Sequence, residues 1–119
     1  MGLPVRPTGG GSFSYYCRAG DHLALHRDIL TCDVAVITAL LNERTADEEA
    51  GALALYPHGA DLPLARIRAR PREGRLLIHL APGQTCVLLG GLVPHALLPM
   101  ALGQRRIVSV ACFEAAPRA

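Results

Sequence analysis

The stretch GRLLIHLAPGQTCVLLGGLVPHALLP, from Gly74 to Pro99, is three short apolar runs cut apart by Pro82-Gly83 and by Gly90-Gly91 and closed by Pro99. Apolar runs of about 4–8 residues bounded by turn signals read as strands, because a helix would need ten or more residues to offset its nucleation cost. Arg75 to Leu80, Thr85 to Leu89 and His95 to Leu98 are therefore expected as strands, with Pro-Gly and Gly-Gly supplying the turns.

Working outward, the same texture continues. Toward the N-terminus, strands are expected at Phe13 to Cys17, His22 to His26, Asp33 to Leu41, Gly51 to Tyr56 and Ala65 to Ala69. Arg18-Ala19-Gly20-Asp21, Asp61 to Pro63 and Pro71 to Gly74 are read as turns, and Asn42 to Ala50, with four acidic residues, as an exposed loop. Arg105 to Phe113 reads as the last core strand. About eight short strands with no long helix argue for an all-β fold, a sandwich or barrel of antiparallel strands. Residues 1–12, with two prolines and three consecutive glycines, are expected as a flexible tail, 13–114 as one domain and 115–119 as a C-terminal tail.

Composition removes several function classes. The chain has 119 residues, 50% of them hydrophobic, which suits a single folded domain. All 12 basic residues are Arg, set against 10 acidic ones, and the net charge of +2 is too small to argue for nucleic acid. Arg66, Arg68, Arg70, Arg72 and Arg75 read as the solvent face of a strand, with a site for an acidic ligand as the lesser reading. No apolar run approaches the roughly 20 residues of a membrane span, and no signal peptide is expected. Cys17, Cys32, Cys86 and Cys112 are scattered without a C-x-x-C pair, which disfavours zinc-ribbon and thioredoxin readings. Cys86 and Cys112, in apolar runs, read as buried free thiols, and the compartment as a reducing cytoplasm.

The chemistry-bearing residues are His26, Asp28 and His95. In a strand, i and i+2 share a face, so His26 and Asp28 can reach one ion while Arg27 points away. His95 comes 67 residues after Asp28, and a jelly roll brings such distant strands together at its mouth. Two imidazoles and one carboxylate on one face of an octahedron leave three positions open, the arrangement of non-haem Fe(II) oxygenases. Pro99 and Gly103 bracket a tight connection, which is expected to set Arg105 opposite His95, about 5–8 Å away. Arg105 is chosen over Arg106, of opposite parity, as the bidentate partner of a buried carboxylate. His22 reads as the cap of an exposed strand start, His58 as a loop residue and His79 as structural.

The set H-x-D, a distant His, then Gly at +8 and Arg at +10 resembles the Fe(II)/2-oxoglutarate-dependent dioxygenase superfamily, in its prolyl 4-hydroxylase-like branch. The matching residues are His26, Asp28, His95, Gly103 and Arg105, and the resemblance spans about residues 13–114. Leu41-Asn42 before the acidic loop and Gly51 to Pro57 match in texture. The branch carries Tyr where this chain has Leu23, so Tyr16, or Tyr15, is the expected stand-in at the co-substrate. The resemblance implies a double-stranded β-helix, a jelly-roll or cupin-like barrel. It also implies Fe(II) on His26, Asp28 and His95, 2-oxoglutarate as co-substrate on Arg105, ascorbate as an accessory reductant, and O2. The reaction it implies is hydroxylation of a small molecule, amino acid or peptidyl residue, with release of succinate and CO2. No nucleic-acid or membrane partner is expected. Related enzymes carry supporting helices before the barrel, and little before Phe13 matches them; truncation, a dimer partner or another chain is expected to account for this, and an uncovered sheet face invites a homodimer. Two other readings stay open: a metal-binding cupin of different chemistry, and a non-catalytic binding domain on the same barrel.

Overall fold

The computed structural model describes residues 4–115. Eight strands form in chain order: β1 Val5–Tyr16, β2 Leu23–His26, β3 Val34–Asn42, β4 Leu53–Leu55, β5 Leu76–Ile78, β6 Thr85–Leu88, β7 His95–Leu97 and β8 Arg106–Ala115. Between β4 and β5 lie a 3-10 turn, Pro57–Gly59, and one short helix, α1, Leu64–Ala69. The strands make two four-stranded antiparallel sheets, ordered β1-β8-β3-β6 and β2-β7-β4-β5. The chain crosses between the sheets at every step except β4 to β5. That strand order is the jelly-roll, double-stranded β-helix expected from the sequence.

Strand alternation explains where the core sits. On β3, Ala35, Ile37 and Ala39 point between the sheets and are almost fully buried, and Val108 on β8 joins them. Leu53 and Leu55 on β4 meet them from the second sheet, with Leu80 and Leu88 closing the cluster. The opposite face of β4 carries Ala54, which packs with Tyr56 and Ile67 and with Leu25, Leu77 and Leu98. Helix α1 thus covers the outside of the second sheet, and burying Ile67 contributes about 2 kcal/mol to holding it there.

Three expectations change. The strand expected at Ala65 to Ala69 is helix α1, which starts directly after Pro63. Its Arg66, Arg68 and Ile67 obey a helical rather than a two-residue period, so the arginine run is not one strand face. Second, the segment expected as a tail over 1–12 belongs to β1 from Val5 onward, paired with Glu114 and Ala115 at its far end. Pro7 is tolerated because β1 is an edge strand, and Gly9, at φ +74°, sits in the register shift between Pro7 and Gly11. Residues 1–3 and 116–119 lie outside the described residues, although β8 runs on to Ala115. Third, Cys112 is not a free thiol: it forms a disulfide with Cys32, with Cα atoms 4.8 Å apart, because β8 pairs with β3 just beyond the turn that carries Cys32. Cys86 stays free and half-buried. No helix among the described residues is long and apolar enough to cross a membrane.

Candidate metal centre

His26 closes β2 and His95 opens β7, and the two residues are register partners in the second sheet. Their rings lie 4.3 Å apart between centroids. Asp28 follows two residues after His26, and its Oδ1 is 3.2 Å from Nε2 of each histidine. One ligand atom from each of the three lies within 4.8 Å of the others, close enough to share one ion.

Backbone carbonyls set the tautomers. Nδ1 of His26 lies 2.7 Å from the carbonyl of Ala24, and Nδ1 of His95 lies 2.9 Å from that of Val93. A carbonyl can only accept, so each Nδ1 carries a proton and each ring turns its Nε2 toward Asp28, as a lone pair for an ion when the ring is neutral and as a donor to the carboxylate when it is protonated. Such outer partners orient metal-ligating histidines. Burial alone would raise the Asp28 carboxyl, but the hydrogen bonds from His26 and His95 outweigh it and hold its pKa well below the usual carboxylate range. The hydrogen bond to Asp28 raises the pKa of His26, against an opposing effect of burial.

The loop before β7 shapes the space around Asp28. The Asp28 N–H donates to the carbonyl of Gly90 at 2.8 Å. A Cβ on Gly90 would overlap Oδ2 of Asp28 and lie 2.8 Å from its Cγ, so only glycine leaves room for the carboxylate. Arg27 points away from the triad, as expected, and its guanidinium donates to the carbonyls of Gly59, Ala60, Leu62 and Leu92.

The triad opens on a cavity of about 190 Å³ between the sheets, lined by Ser12, Ser14 and Tyr16 on β1, Ala35 and Ile37 on β3, Leu53, Leu97, and Arg106, Val108 and Val110 on β8. The arginine in its wall is not the expected one. Arg105 is exposed, and its Nε and Nη2 bind Glu43 at 3.1 and 2.9 Å. Arg106 is 3% exposed and lines the cavity. The hairpin reasoning failed because β7 and β8 lie in different sheets, so the Pro99–Gly103 connection is a crossover with no register between His95 and Arg105. Arg106 instead pairs with Tyr16 and Asn42, on the parity that Val108 and Val110 carry into the core.

Arg106 has few partners. Its Nη1 makes one long bond of 3.4 Å to the carbonyl of Gly51, and its Nε has none. Burial lowers its pKa, with Tyr16 opposing. A buried guanidinium without an anion costs several kcal/mol, so the site suits a carboxylate ligand. Tyr16 lines the cavity as expected, while Tyr15, of opposite parity, is exposed. His22, His58 and His79 lie outside it: His22 contacts the Gly20 carbonyl, and His79 that of Glu48. Sequence reasoning missed Gly90, Ser12 and Ser14. The serines were placed in or beside a tail, and only the pairing of β1 with β8 brings them to the cavity.

Comparison with solved structures supports the architecture. The chain superposes on a Pseudomonas putida prolyl-4-hydroxylase with a TM-score of 0.62 and 22% identity, covering 90% of this chain and 51% of that one. It superposes on the non-heme monooxygenase ThoJ, in its nickel complex, with a TM-score of 0.63 and 20% identity, covering 92% of this chain and 45% of that one. At these identities the likeness is one of fold alone, and the chain spans about half the length of either protein. No family model matches the sequence, and no curated protein matches it.

Proposed function

We propose that this chain is the barrel of a non-haem Fe(II)- and 2-oxoglutarate-dependent oxygenase that hydroxylates an unactivated C–H bond, with release of succinate and CO2. One observation carries the reading. Three donors of the type that Fe(II) takes lie within 4.8 Å of one another at one end of a cavity whose wall also holds a buried guanidinium with an unpartnered Nε. The donor set and the orphaned cation fit a metal and a dicarboxylate together. Neither is needed by a plain structural barrel, and a cupin of other chemistry gives Arg106 no task.

His26, Asp28 and His95 would hold Fe(II), a donor set suited to that ion, with 2-oxoglutarate and O2 as the co-substrates used beside it. Arg106 would pair with the far carboxylate of 2-oxoglutarate, with Tyr16 beside it. The apolar walls, Ile37, Leu53, Leu97 and Val108, would keep water from the reacting atoms. Bound iron and keto acid together supply the oxygen activation; the chain supplies position and a dry cavity. The test is anaerobic addition of Fe(II) and 2-oxoglutarate, followed by visible absorption. The expected result is a weak metal-to-ligand band that His95→Ala abolishes. A parent protein without the band, or a variant that keeps it, sinks the proposal.

A further inference from the structure

We infer that Asn42 is the residue that positions Arg106. As a carboxylate enters the cavity, the carboxamide Oδ1 of Asn42 accepts from Nε of Arg106 and leaves both terminal nitrogens of the guanidinium for the ligand. This rests on the oxygenase reading, whose co-substrate site it deepens.

Backbone register brings the two side chains together. Asn42 on β3 and Arg106 on β8 are direct partners, so their Cβ atoms lie about 4.5–5.5 Å apart on one face. Strict alternation from Ile37 and Ala39 would turn Asn42 outward. The register shift between Ala39 and Leu41 adds one residue to β3 and turns Asn42 inward, where Arg106 and Val108 also point. The amide has one orientation. Its Nδ2 donates to the carbonyl of Leu80 at 2.7 Å, and a carbonyl can only accept, so Oδ1 is the atom left over.

That Oδ1 is buried and has no partner. Buried polar atoms are nearly always paired, and a lone acceptor is costly to bury. Among the described residues two other buried side-chain polar atoms lack a partner, Nδ1 of His79 and Nε of Arg106. His79 cannot serve. Its Nε2 lies 2.7 Å from the Glu48 carbonyl and so carries the proton, which makes Nδ1 of the neutral ring a second acceptor. Donors around the neighbouring Glu43 are taken: Nε2 of Gln104 binds the carbonyls of Glu43 and Ala50, and Arg105 binds the Glu43 carboxylate. Tyr16 stands on β1, on the far side of Arg106. Nε of Arg106 is thus an unused donor on the register partner of an unused acceptor.

The guanidinium is otherwise held by one 3.4 Å contact from Nη1 to the Gly51 carbonyl, too long to fix its plane. A carboxylate in the cavity draws the two terminal nitrogens to itself as a bidentate pair. The planar group carries Nε with it, and the bond to Asn42 sets the rotation of the fork. Asn42 therefore adds to affinity without touching the ligand, by cutting the freedom that Arg106 must lose.

The experiment follows the visible band of the anaerobic, Fe(II)-loaded full chain as 2-oxoglutarate is added. Asn42→Ala is expected to weaken 2-oxoglutarate about tenfold, the scale of one bond to a charged group, with Fe(II) affinity unchanged. Asn42→Asp, of nearly the same shape, is expected to weaken it at least as much, because its carboxylate competes for the guanidinium. In an Arg106→Gln background, Asn42→Ala is expected to leave 2-oxoglutarate affinity within about twofold, since its effect runs through Arg106. A purely structural Asn42 would lower the denaturation midpoint through the lost bond to Leu80 and show no such dependence on Arg106. Equal affinity in parent and Asn42→Ala, or the same loss in both backgrounds, overturns the proposal. A second measurement needs no iron. Glutarate, the same dicarboxylate without the keto group, is titrated into the metal-free chain, and the Nε–H resonance of Arg106, assigned by its loss in Arg106→Gln, is followed by proton–nitrogen NMR. It is expected to move downfield in the parent and to stay in place in Asn42→Ala. That shift without the visible band refutes the oxygenase reading and keeps the pair. The band without an Asn42-dependent shift overturns the pair alone, and the absence of both overturns both.

Discussion

Replacing Gly90 with alanine tests whether Asp28 is a metal ligand held in place by its neighbour. The new Cβ would fall on Oδ2 of Asp28, 2.8 Å from Cγ and 3.4 Å from Cβ, so the whole carboxylate must move. Ordinary contact needs roughly 3.4 Å or more, and a displacement of that order takes Oδ1 out of reach of an ion shared with two histidines that now stand 3.2 Å from it. Loss of an orienting partner typically costs 10–100-fold in metal affinity, about 1.4–2.7 kcal/mol, and the upper end is expected for Gly90→Ala because the ligand itself moves. Gly90 does not have a positive φ, so alanine adds no backbone strain and restricts the unfolded chain slightly. That gain and the lost Asp28 bonds oppose each other, so metal-free stability should change by no more than about 1 kcal/mol. Gly91→Ala is the control, since a Cβ there meets Asp33 at an ordinary 3.4 Å. Anaerobic calorimetric titration with Fe(II), or with Co(II) as a stable substitute, gives the affinities, and chemical denaturation gives the stabilities. Affinity within twofold of the parent in Gly90→Ala would refute both the crowding argument and the role of the Asp28 carboxylate.

The disulfide makes a second prediction. The native protein should show two reactive thiols, Cys17 and Cys86, and four after reduction, and Cys32→Ser with Cys112→Ser should cost about 4 kcal/mol of unfolding free energy because the bridge closes a separation of 80 residues. Four thiols in a protein purified without reductant would remove the bridge. A third prediction concerns pH in the metal-free protein. The His26 pKa is raised by Asp28, so its stabilising contribution is full below the ordinary ~6.5 and is lost as pH rises through the folded value; that of Asp28, whose pKa is lowered, is full above ~3.8 and is lost as pH falls through its folded value. Denaturation midpoints should therefore peak in mildly acid buffer and fall on the alkaline side, and Asp28→Asn should flatten both flanks. Metal affinity should run the other way, rising with pH as His26 loses its proton.

How much of this was legible in the sequence depends on whether the signal was local. The turns at Pro82-Gly83 and Gly90-Gly91 and the apolar runs between them fix strand existence, because each is decided within about six residues. That His26, Asp28 and His95 come together was readable for a related reason: residues two apart can reach one point, although β2 ends at His26 and Asp28 lies just beyond it rather than on its face, and His95 needs only some barrel to bring it near. Helix α1 was missed because six residues carry too little periodicity to separate a helical period from a strand period. The disulfide and the serines of β1 depend on pairing between segments far apart in the chain, which no local pattern encodes.

The choice between Arg105 and Arg106 shows the same limit and can be measured. Adjacent residues in a strand face opposite sides, so one arginine must enter the barrel, and local sequence says only that much. Which one enters depends on the register of β8 against β1 and β3, fixed by Tyr16 and Asn42 opposite Arg106. The crossover from β7 erases any phase carried over from His95. Arg105 on the outside already has Glu43, so removing it leaves no orphan in the cavity. Arg106 is buried with an unpartnered Nε, and its removal takes away the one charged group that the described residues put in the cavity wall besides the triad. Arg106→Gln should therefore weaken 2-oxoglutarate binding by about 100-fold, the scale of a lost charge-assisted pair, with Fe(II) affinity unchanged. Arg105→Gln should leave both within twofold. Anaerobic titration of the visible band with 2-oxoglutarate at saturating Fe(II) separates the two. A weakening confined to Arg105→Gln would mean that β8 is shifted by one residue from the register that sets Arg106 opposite Tyr16 and Asn42, with every inward side chain of that strand reversed.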